Sequence, residues 1–136
     1  MNAKQVIKHL NLRPLPIEGG FYRETFQSEE WLPESGMPRR YTGAKRYYSA
    51  IYFLITPESW STLHRLPTDE IFHFYLGDPV EQLLLYPDGN GEKVLLGNQL
   101  ELGAQPQVRV PGFTWQGARL AEGGAFALLG TTMSPG

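Results

Sequence analysis

Apolar positions along the chain follow two periods. Near the start, Val6, Ile7 and Leu10 recur at the spacing of one helix face. Asn2 stands where such a helix takes its cap, and "RPLP" at 13–16 ends it, because proline offers no amide hydrogen. Everything downstream is punctuated like β-structure. Runs rich in aromatic and branched residues occupy 20–27, 46–55, 70–76, 81–86, 93–97, 107–110 and 125–132. The 15 glycines and 11 prolines fall mostly between them. Within "YPDGNGEKV" at 86–94, Asp-Gly and Asn-Gly supply the positive φ that a tight hairpin needs. Residues 28–45 read as one long loop. The pattern predicts a single all-β domain over 1–136 with a short N-terminal helix. Short antiparallel strands with frequent turns favour a sandwich or jelly-roll barrel over a βαβ fold.

Composition narrows the chemistry. The chain has no cysteine, which removes disulfides, thiolate nucleophiles and cysteine metal sites. A net charge of −2 with scattered basic residues leaves no footprint for a nucleic acid. The first residues lack the apolar core of a signal peptide. The longest apolar run, 50–55, is far below the roughly 18 residues of a membrane span. A soluble cytoplasmic protein with neither nucleic-acid nor membrane partner is expected.

Two side chains stand out, His64 and Glu70. On a strand over 70–76, alternation puts Glu70 on one face with Phe72 and Phe74, and His73 on the other. A carboxylate beside two phenyl rings is at a barrel mouth or buried, and a buried one needs a partner. His64, on the strand expected to pair with 70–76 across the turn "RLPTD", is the natural candidate. The plain alternative is that the two merely satisfy each other in a core. His73 suits a surface or interface, and His9 an exposed helix position.

The spacing resembles the cupin superfamily. His64, Leu66, Glu70 and Gly77 fall on the positions of its first motif, and Pro111, Phe113 and Gln116 on those of its second. Leu66 and Gln116 stand where that superfamily usually has histidines. The stretches "EGGFYRET", "SAIYFL", "HRLPTDEIFHFYLGDP", "VPGFTWQGA" and "GTTMSPG" are similar to one uncharacterised RmlC-like branch. Its members usually have glycine where Phe113 stands, and usually continue past "PG" with an acidic, aromatic tail.

The resemblance implies a double-stranded β-helix, the jelly-roll cupin barrel, with a small-molecule pocket inside and a homodimeric assembly. His64 and Glu70 would be its catalytic pair. Phe72, Phe74, Trp115 and Gln116 would bind substrate, with Gln116 rather than Trp115 pointing inward. Sugar-nucleotide epimerases of the superfamily carry a stretch similar to "GFYRETF", which implies that Arg23 meets an anionic group and that strand 20–27 pairs with a partner subunit. The plain alternative for that stretch is a solvated edge.

One imidazole, one carboxylate and one amide make a weak donor set for a transition metal. No metal and no cofactor are therefore expected, and Leu66 is expected to form an apolar wall. Two functions fit these residues. The first is metal-independent isomerisation or epimerisation of a sugar-like or carboxylated metabolite. The second is a binding or storage module without turnover, and a metal-dependent oxygenase is the weakest fit.

Overall fold

The computed structural model describes residues 1–136. Helix α1 (Ala3–Leu10) is capped by Asn2, whose side chain accepts from the Gln5 amide while the Gln5 side chain accepts from the Asn2 amide. This reciprocal box satisfies two donors that a helix start leaves free. The helix closes at Asn11 in the left-handed conformation.

Twelve strands follow: β1 (Arg13–Pro14), β2 (Phe21–Gln27), β3 (Trp31–Leu32), β4 (Lys45–Arg46), β5 (Ser49–Ile55) and β6 (Ser61–His64), then β7 (Glu70–Gly77), β8 (Val80–Leu85), β9 (Gly91–Leu96), β10 (Gln107–Val110), β11 (Trp115–Leu120) and β12 (Ala127–Met133). Six form one sheet in the order β1-β2-β5-β12-β7-β10, and four face them in the order β6-β11-β8-β9. The expected hairpin is present: Leu85 pairs with Gly91, and the Tyr86 amide donates to the Asn90 carbonyl. The expected long loop is partly ordered. Trp31 and Leu32 pair with Arg46 and Lys45, and the Arg46 guanidinium stacks 4.1 Å above the Trp31 ring.

Alternation decides what each sheet buries. Phe53, Ile55, Phe72, Leu84, Val110 and Leu129 point between the sheets and form the main core. Leu54 and Leu128 point the other way, where Val6 and Leu12 cover them in a second, smaller core. The helix thus seals the outer face of the central strands. That is why β5 and β12 read as continuous apolar runs where other strands alternate.

The expected partner of β7 is wrong. β7 lies between β12 and β10, whereas β6 belongs to the facing sheet and pairs with β11. A short link between two strands suggested a hairpin, but this link crosses from one sheet to the other. His64 and Glu70 therefore approach each other across the barrel, not along a ladder.

Candidate functional site

The site is assembled from a turn and both sheets. In "EGG", Gly19 and Gly20 have φ of 88° and 78°, where a side chain is strained. Space forbids one as well: a Cβ on Gly20 would stand 2.6 Å from the Phe53 ring, and one on Gly19 would collide with the Trp60 carbonyl. The turn is tied down by the Thr62 amide, which donates to the Glu18 carbonyl at 2.7 Å, and by the Ser59 hydroxyl, which accepts from the Gly20 amide at 2.9 Å. The result delivers Glu18 to the barrel mouth. Its carboxylate lies 4.0 Å from Nε2 of His64.

The other ring nitrogen of His64, Nδ1, is 2.8 Å from the Thr62 carbonyl oxygen. A carbonyl only accepts, so Nδ1 carries the hydrogen, and in the neutral ring the free lone pair belongs to Nε2. One short segment thus fixes both the turn and the tautomer.

Glu70 is 7% exposed. Its Oε1 accepts from the Gln116 side-chain amide at 3.1 Å. Burial pushes its carboxyl above the ordinary value; hydrogen bonds from Gln116 and Thr131, together with the nearby His64, pull it partly back. The direct partner of Glu70 is therefore Gln116, not His64 as the sequence suggested. His64 and Glu70 still face one cavity, which Glu18, Ser61, Phe72 and Thr131 also line. Its volume is about 30 Å³, enough for one or two water molecules and far below the roughly 300 Å³ at which ordinary ligand pockets begin.

The remaining expected site residues divide. Gln116 points inward and is buried, and Phe72 forms cavity wall. Phe74 is half-buried against the core and does not line the cavity. Trp115, on the opposite face of β11, is 42% exposed with the Arg65 guanidinium 5.2 Å above its ring. Strand alternation turns it away from the barrel interior, into which its neighbour Gln116 points. Arg23 is also elsewhere. Its Nε donates to the Leu10 carbonyl at 2.7 Å, on the helix side of the sheet.

Leu66 is not cavity wall either; its carbonyl accepts from the Phe113 amide at 2.7 Å. Phe113 has φ of 63°, so the glycine-type turn persists with a phenylalanine in it. His73 lies outside the cavity, 3.0 Å from the Thr132 hydroxyl, and His9 is exposed. The sequence reading passed over Glu18, Ser61 and Thr131. Only the acid immediately before a glycine pair signalled any of them.

A family profile described as Cupin superfamily (DUF985) matches residues 4–136. The chain belongs to this cupin family. A hypothetical protein from Leishmania major is 34% identical over 100% of this chain and 82% of its own, with a TM-score of 0.89. A structural-genomics target from Shewanella oneidensis is 34% identical, covering 100% of this chain and 79% of its own, with a TM-score of 0.87. Bacillus subtilis oxalate decarboxylase shares the fold at 12% identity, covering 93% of this chain and 28% of its own, with a TM-score of 0.60. No functionally curated protein matches.

Metal-binding cupins set the fit test for the site. Here one ligand position is the apolar Leu66, the Gln116 amide is spent on Glu70, and Glu18, His64 and Glu70, though they line one cavity, are not gathered into a group that could hold an ion. This donor set does not fit a first-row transition metal.

Proposed function

We propose that this cupin is a metal-independent isomerase or epimerase acting beside a carbonyl of a small sugar-like or carboxylated metabolite. The observation that carries the proposal is the pairing, in one cavity, of an oriented imidazole with a carboxyl whose hold on its proton burial strengthens. Nε2 of His64 takes a proton from the carbon next to the carbonyl, while Glu70 gives its proton to the carbonyl oxygen, leaving a neutral enol. Glu18 sits beside the imidazolium so formed and stabilises its charge. Return of both protons, with the carbon protonated at a different face or position, completes the reaction. A cavity this small admits only the reacting tip of a substrate. The rest must remain at the mouth by Glu18.

That same smallness favours a second reading, a binding module that seats one small polar group without turnover. The deciding experiment uses ligand identified by mass spectrometry from native purified protein, and follows its exchange with deuterated solvent. His64→Gln should lower exchange by about a hundredfold or more, while affinity falls much less. Absence of exchange with the native chain, together with equal loss of affinity in His64→Gln and Glu70→Gln, would leave the binding module.

A further inference from the structure

A second opening lies on the other side of the six-stranded sheet. Between α1 and the outer faces of β5, β7 and β12 runs a groove of about 420 Å³, within the range of small-molecule sites. Val6 and Leu10 form the helix wall; Tyr52, Tyr75, Leu76 and Leu128 form the sheet wall. A β-bulge makes this wall. Leu128 pairs with Leu76 but Leu129 with Phe74, so Tyr75 is the extra residue and both it and Leu76 turn towards the groove. They remain 51% and 39% exposed.

No acidic side chain lines the groove, and the charges beside it are basic. Helix α1 contributes Lys4, Lys8 and His9 and no acid, and His9 lines the opening. Arg23 rests on two wall residues, bonded through Nε to the Leu10 carbonyl and 5.4 Å from the centre of the Tyr52 ring. None of the ion pairs in the molecule involves it, and Nε makes its one hydrogen bond. The two outer nitrogens are left as a planar fork suited to a carboxylate. Glu24, the next residue, pairs with Ile51 and so belongs to the barrel side of β2.

We infer that this groove binds an amphipathic carboxylate, with its anionic head on the Arg23 fork and its apolar body along Val6, Leu10, Tyr75 and Leu128. The site is separate from the barrel cavity, with which it shares no residue. The inference does not depend on catalysis there. Charge complementarity selects the occupant: an apolar slot alone would take any hydrophobe, whereas the Arg23 guanidinium, held beside the slot on the wall residues Leu10 and Tyr52 and in no ion pair, selects an anion.

The test titrates the full chain with octanoate and, separately, with octanol, by calorimetry and by amide NMR shifts. Octanoate should bind saturably and shift amides of residues 3–10 and 75–76. Octanol, and octanoate with Arg23→Gln, should each bind about tenfold or more weakly, as loss of a charge-assisted pair requires. Tyr75→Ser, at an exposed wall position, should weaken octanoate while leaving the mass by light scattering unchanged. Equal affinity for octanol, undiminished octanoate binding by a folded Arg23→Gln, shifts confined to residues 61–70, or no saturable binding would each overturn the inference. A halved mass in Tyr75→Ser would assign the groove to a second copy of the chain instead.

Discussion

The buried carboxyl makes its own prediction about stability. Unfolded, Glu70 titrates near its ordinary 4.5; folded, burial raises that value. Between the two, the folded chain holds a proton that the unfolded chain has released, so stability falls as pH rises through this window. The slope from this one group reaches at most about 1.4 kcal/mol per pH unit, and the loss stops once the folded value is passed. Glu70→Gln removes the titration but keeps an acceptor for the Gln116 amide, 3.1 Å away in the native chain. Urea unfolding by circular dichroism, for both chains at half-unit steps from pH 4 to 8, isolates Glu70 and the groups coupled to it, because all uncoupled groups cancel in the difference. Near pH 4 the two should differ by a small constant. Above about pH 5 the variant should gain steadily on the native chain, then level off. A difference that does not change with pH, or one that favours the native chain as pH rises, would refute the claim that burial dominates at Glu70.

Three further outcomes follow from the same structure. Phe113 is held at φ 63° with its side chain exposed, so Phe113→Gly should raise stability by about 1 kcal/mol, measured as a shift in urea midpoint at constant slope. The site's donor set predicts well under one equivalent of Mn, Fe, Ni, Cu or Zn by elemental analysis of purified protein. A chelator should leave Tm unmoved, since a real site would show itself through mass action. Beyond Tyr22 the outer edge of β2 pairs with no strand of its own chain and carries Phe26, 69% exposed. Light scattering at micromolar concentration should therefore report a dimer formed through the free part of β2, residues 23–27, and a monomer there would count against it.

What the sequence determined by itself is what depends on neighbours along the chain. Asn2 sets the helix start, Asp88 to Gly91 the hairpin, and period-two alternation the shared face of Glu70 and Phe72, while the inward aim of Gln116 came from the motif resemblance. Motif spacing extended this to the fold, because cupin positions recur at fixed separations. Partnership was another matter. Alternation states which face a side chain takes but not which strand lies opposite, so Glu70 was matched to His64 when the facing of the two sheets gave it Gln116 across the barrel. Arg23 carried a charge suited to an anion, yet only the docking of α1 shows that its Nε is held by the Leu10 carbonyl. Thr131 was invisible as a site residue for the same reason, and Glu18 showed only as an acid before a glycine pair. They reach the cavity through a glycine turn and a central strand distant in sequence, and the free energy that brings them there is the burial of a core shared by both sheets.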